Sequence, residues 1–81
     1  MFNEIDKEKC QTETKCKLKQ IGEIIRKKRI EKGMSQDNLA FNCQTDKSFI
    51  NKIERGVYVN VTIYTLYKIA EGLCEHITIF F

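Results

Sequence analysis

The segment TDKSFINKIERG, residues 45 to 56, concentrates cationic and hydrogen-bonding side chains at helical spacing. Lys47, Ser48, Asn51, Lys52 and Arg55 fall on one stripe at i, i+1, i+4, i+5 and i+8, with Ile50 and Ile53 on a thin apolar stripe opposite. Point charges, a hydroxyl and a carboxamide bind rather than react, and their net sign suits an anionic partner. Nowhere in the chain do a nucleophile, an acid and a base cluster at recognisable spacing, so the residues point away from an enzyme. A plain solvated helix face has the same composition, and the elements around the segment must decide between the two readings.

At 81 residues the chain is a single domain with a marginal core that a second copy would help to stabilise. Lys plus Arg number 14 against 11 Asp plus Glu, and a formal charge of +3 is compatible with nucleic-acid binding without demanding it. No apolar run approaches the length of a membrane span, and MFNEIDKEKCQTETK is charged where a secretory signal would be apolar. A cytoplasmic protein with no membrane partner is therefore expected. Cys10, Cys16, Cys43 and Cys74 lack C-x-x-C spacing, and neither a metal site, a cofactor nor a disulfide framework is expected. His76, alone near Cys74, reads as a surface or interface residue.

Residues 1–17 show no sustained periodicity and read as a flexible arm or a loosely docked extra helix, ahead of a main domain at 18–81. From Leu18, the residues Ile21, Ile24, Ile25 and Ile30 recur near helical spacing until Gly33 supplies a stop. Ser35 offers an N-cap for a second helix with Leu39, Ala40 and Cys43 inward, and Asp46 offers one for the third. Gly56 ends that helix and VYVNV makes an extended link. Thr62 caps a fourth helix that buries Ile63, Leu66, Ile69, Ala70 and Leu73 and ends near Gly72. The final CEHITIFF suits a strand as well as a helix, but with no other strand signal to pair with it reads as a short fifth helix. The expected fold is all-α, a compact five-helix bundle.

Helices two and three, separated by a tight turn, make a helix-turn-helix by length and patterning alone. Such a motif inserts its second helix, here residues 46–55, N-terminus first into the DNA major groove. Lys47 and Ser48 then reach base edges first, with Asn51 and Lys52 a turn later on the same face.

From Ile21 to Leu73 the sequence resembles the Cro/C1 (XRE) helix-turn-helix repressors, in IGEIIRKKRIEKGMSQDNLA, IERG and TLYKIAEGL. It is more similar still to the controller proteins of restriction–modification systems, in Asp46 at the start of the recognition helix, in Asn60 followed by VT, and in the apolar TIFF. The resemblance implies a dimeric lambda repressor-like fold. It also implies that Gln36, beside the Ser35 cap, holds a phosphate near the positive end of a helix dipole, and that Arg29 and Glu54 form an ion pair joining helix one to the end of helix three. Phe49 is implied to touch a thymine methyl or deoxyribose, or to pack beside Ile53, and Arg55 to meet a phosphate; Lys27 and Lys28 contribute general electrostatics. Gln44 departs from the family, which places Gly in that turn, so the turn either changes geometry or carries strain.

Helix four and the tail hold more apolar residues than so small a domain can bury. Tyr64, Tyr67, Ile77, Ile79, Phe80 and Phe81 are expected to cover a two-fold partner. The implied function is a homodimeric regulator that binds an inverted repeat in double-stranded DNA and controls its own gene and a neighbouring endonuclease gene, with RNA polymerase a candidate further partner. A phage-type repressor, an antitoxin that also binds a protein partner, and a thiol or metal sensor are the competing roles.

Overall fold

The structure, a computed structural model, describes the backbone of residues 4–57 and 60–81 and the side chains of residues 13–57 and 60–81. Tyr58 and Val59 of the expected extended link, and residues 1–3 of the expected arm, lie outside the described residues. Four α-helices occur among those described: α1 (Glu4–Glu31), α2 (Gln36–Asn42), α3 (Lys47–Glu54) and α4 (Ile63–Gly72). A four-residue 3-10 turn, Ile77–Phe80, follows them, and no strand is present among the described residues.

Helix one begins at Glu4 rather than at Leu18, so the backbone is helical across the expected division at residue 17. Residues before Leu18 have no apolar stripe, yet Lys, Glu and Gln carry high intrinsic helix propensity and continue a helix whose other half is anchored. At 28 residues α1 is the longest element, and about 1.5 Å of rise per residue makes it the axis along which the molecule measures 44 Å. The expected fifth α-helix is corrected to the 3-10 turn. Ile79 and Phe81 donate their backbone N–H groups to the carbonyls of His76 and Thr78, three residues back, and the run is one turn long with β-branched residues unfavourable to an α-helix.

The core draws on every element: Ile21 and Ile25 from α1, Leu39 and Ala40 from α2, Ile50 and Ile53 from α3, Leu66, Ile69 and Ala70 from α4, and Phe80 from the terminal turn. Two residues expected inside are exposed. Ile30 lies five positions beyond Ile25, a rotation of about 140° at 3.6 residues per turn, so it leaves the buried face. Ile63 shares the phase of Leu66 but occupies the first position of α4, beyond the reach of the core. Backbones approach most closely at Gly22, where a Cβ would collide with the Ile53 carbonyl oxygen of α3, and at Gly72, where it would lie 2.5 Å from Cys43 Sγ. At the far end, Lys28 and Lys32 reach Glu75 at 3.7 and 3.3 Å and tie α1 to the segment after α4.

Each of the last three helices starts on the expected cap: Ser35, Asp46 and Thr62 have extended backbones, and their side-chain oxygens accept from the N–H of Asn38, Phe49 and Thr65. All four helices stop in the same way, with a left-handed residue after the cap at Gly33, Gln44, Gly56 and Cys74. At the turn between α2 and α3, Gln44 donates to Phe41 O and Thr45 to Ala40 O, the paired bonds of a Schellman motif. The turn therefore keeps the geometry that glycine serves, with a glutamine at φ 58°. Gln44→Gly is expected to raise stability by about 0.5–1 kcal/mol, because glycine removes the steric penalty of the left-handed region. Urea unfolding checks this, and a lower midpoint for the variant would contradict it.

Candidate nucleic-acid interface

The Asp46 carboxylate accepts from the Phe49 N–H at 2.8 Å and starts α3, and Ile50 and Ile53 then turn its apolar side into the core. Lys47, Ser48, Lys52 and Arg55 are exposed on the other side with Asn51 half-buried among them, and these five residues line one shallow surface depression. The predicted stripe is thus a single face. Lys47 Nζ lies 3.9 Å from Asp37 Oδ2 of α2, a solvent-exposed pair that is weak enough for the ammonium to leave for another anion.

Behind this face Glu54 is buried, its carboxylate gripped by Arg29 through Nε at 2.7 Å and Nη2 at 3.0 Å. The third Arg29 bond, Nη1 to Met34 O at 2.9 Å, fixes the link between α1 and α2. The hydrogen bond from Arg29 to Glu54 raises the guanidinium pKa above its ordinary value against the opposing effect of burial, so the guanidinium stays charged. Gln36, half-buried at the first position of α2, donates from Nε2 to Glu54 Oε1 at 3.2 Å and accepts from Asn51 Nδ2 at 3.4 Å. The sequence marks these residues separately; their joining into one network depends on how α2 crosses α3, which spacing along the chain does not encode. Phe49 is half-buried against the core, which favours the packing alternative.

The six residues expected to cover a partner are divided. Tyr64, Tyr67 and Phe81 are exposed, at 71, 50 and 68 %, while Ile77 and Ile79 are half-buried against the core. Phe80 is corrected: it is fully buried in its own chain, because the 3-10 turn points it inward and leaves Phe81 outward. Ile63, outside the expected set, is also exposed, four positions before Tyr67 on α4. Tyr64 and Phe81 carry Lys68 and Lys17 ammonium groups over their rings at 5.4 and 5.3 Å.

Cys16 and Cys74 are exposed free thiols and Cys43 a buried one, where desolvation pushes the thiol up to about 11 despite the opposing Lys68 charge. Among the described residues no three metal-ligating side chains come together, and no helix is long and apolar enough to cross a membrane. His76 Nδ1 accepts from the Thr78 N–H at 3.3 Å and caps the terminal turn from an exposed position.

Two short helices joined by a tight left-handed turn, the second braced from behind and polar in front, define a helix-turn-helix DNA-binding regulator. The chain belongs to the helix-turn-helix family, whose HTH_3 model matches residues 25–77. It is similar to the restriction–modification controller protein C.AhdI from Aeromonas hydrophila, with a TM-score of 0.77 and 33% identity over 83% of this chain and 96% of that one. It is also similar to the controller protein C.Esp1396I, solved as a tetramer in complex with its natural 35 base-pair operator, with a TM-score of 0.72 and 38% identity over 79% of this chain and 83% of that one. The HTH-type transcriptional regulator SlrR of Bacillus subtilis (strain 168) is 41% identical over 58 residues, 72% of this chain; the chain spans 38% of that relative's length.

The brace behind α3 has a testable energetic signature. Arg29→Met leaves the Glu54 carboxylate buried without its cation and should cost about 3–5 kcal/mol, whereas Arg29→Met combined with Glu54→Leu should recover most of that loss, because neither charge then needs solvation. Urea denaturation of the single and double variants measures both, and equal losses in the two would contradict the assignment.

Proposed function

We propose that the chain is a homodimeric transcriptional regulator that reads an inverted-repeat operator in double-stranded DNA, and that it serves as the controller of a restriction–modification system, acting in the cytoplasm on its own gene and on the endonuclease gene. The observation that carries this reading is the exposed face of α3, with Lys47 and Ser48 at the N-terminal end that enters a major groove first. Its likeness in sequence and fold to controller proteins, one of them solved on its operator, supports the narrower role. Lys47 supplies an ammonium donor for guanine O6 or N7, and Ser48 a hydroxyl able to donate or accept. Lys52, a turn later, reaches a base edge or a phosphate on the same side, Gln36 sits at the start of α2 with a remaining N–H for a phosphate oxygen, and Arg55 supplies a second backbone contact.

Two-fold pairing supplies the second half-site. The exposed Ile63, Tyr64, Tyr67 and Phe81 favour a dimer formed through α4 and the tail, with Ile77 and Ile79 at the margin of the covered surface. RNA polymerase is the further partner that control of a promoter requires.

Base reading and backbone holding should fail differently when mutated. Lys47→Ala or Ser48→Ala should cost about 1–3 kcal/mol at the cognate operator and relax preference at particular base pairs, while Gln36→Ala should weaken cognate and variant sites nearly alike. Affinities on a panel of single-base operator variants at fixed salt separate the two patterns. Unchanged base preferences in both α3 variants would mean that α3 does not read the DNA.

A further inference from the structure

The polar groups around α3 form one directed chain. At its buried end the Glu54 carboxylate accepts from Arg29 at 2.7 and 3.0 Å and from Gln36 Nε2 at 3.2 Å. Gln36 Oε1 accepts from Asn51 Nδ2 at 3.4 Å, and Asn51 Oδ1 accepts from Arg55 Nη1 at 3.5 Å. A carboxamide has an oxygen that accepts and a nitrogen that donates, and its neighbours dictate which way it turns. Both ends of this chain dictate the same sense: an ionised carboxylate only accepts, and a guanidinium only donates. Gln36 must turn its NH2 group to Glu54 and its oxygen to Asn51. Asn51 must turn its NH2 group to Gln36 and its oxygen to Arg55.

Both carboxamide oxygens are consequently engaged within the protein, and each amide nitrogen has one N–H left. A side-chain amide reads adenine with a donor and an acceptor side by side, and the Asn51 amide is already turned by Gln36 on its nitrogen and by Arg55 on its oxygen, where one lone pair remains. A lone N–H meets any acceptor, and the acceptors repeated along DNA irrespective of sequence are phosphate oxygens. Burial points the same way: Asn51 is half-buried, whereas Lys47, Ser48, Lys52 and Arg55 on the same face are exposed.

We propose that Asn51 is a positioning residue and not a base reader. It holds Gln36 of α2 and Arg55 at the end of α3 in one donor-outward arrangement, so that the two helices grip the DNA backbone as a unit. This rests on the DNA-binding reading above and assigns Asn51 a different part from its neighbours on the stripe.

The test uses a duplex selected by the wild-type protein from random-sequence DNA, together with its single-base variants, and measures binding by fluorescence anisotropy at fixed salt. Asn51→Ala should weaken every duplex by the same factor, about three- to tenfold, the size of a lost neutral hydrogen bond or two, with the melting temperature of the free protein unchanged. In the Gln36→Ala background its further effect should be smaller than in the wild-type background, since only the link to Arg55 is then left to lose. Asn51→Asp, which sets an acceptor against Gln36 Oε1, should bind every duplex more weakly than Asn51→Ala. A loss confined to one base pair would make Asn51 a reader and overturn the proposal. Independent, multiplying losses for Gln36→Ala and Asn51→Ala would overturn it too, as would wild-type affinity in Asn51→Asp. A wild-type protein that selects no duplex would overturn the DNA-binding reading itself, a failure visible before any variant is made.

Discussion

The two-pronged bridge from Arg29 to Glu54 ties together the three helices on which the proposed DNA-facing surface depends. Arg29 belongs to α1, Glu54 to the last turn of α3, and the remaining guanidinium bond goes to Met34 in the link to α2. Because both charged groups lie away from solvent, neither can move without exposing the other to an uncompensated environment. The pair need not add net stability to do this; its effect is to make one relative placement of α1, α2 and α3 far better than its neighbours. Close packing next to it at Gly22, where the α1 backbone meets the Ile53 carbonyl, leaves α3 no room to slide.

What the pair fixes behind α3 reappears in front of it as hydrogen-bond polarity. Glu54 has acceptor capacity left after binding Arg29, Gln36 uses it, and the direction of every subsequent bond follows. A structural ion pair thereby sets which atoms of two surface amides remain free. The N-terminal part of the face, Lys47 and Ser48, is exposed and lies outside this chain of hydrogen bonds.

Much of this was legible in the sequence where one residue carries its own structural consequence. Ser35, Asp46 and Thr62 mark helix starts because a short side-chain oxygen beside an apolar period satisfies the first free N–H groups, and each does so. The stripe on α3 followed from spacing, and the left-handed turn at Gln44 was one of two alternatives that the departure from glycine left open. The start of α1 was not legible, since residues 4–17 have no apolar face and helical propensity alone does not mark a boundary. Nor could the pattern separate Phe80 from Phe81: adjacent aromatics are equivalent until the tightness of the last turn sends one inward. The amide relay was invisible for a deeper reason, because Gln36, Asn51 and Glu54 meet only across two helices.

Symmetric reading of DNA by a pair of α3 helices can be tested with no operator in hand. Purified protein is incubated with a pool of random duplexes at near-physiological salt, and bound sequences are recovered and sequenced over several rounds. A dimer with α3 in successive major grooves should enrich one short motif in two inverted copies at a fixed spacing set by the helical repeat of DNA. Enrichment of a single unrepeated motif, or of no sequence above the pool, would contradict the account.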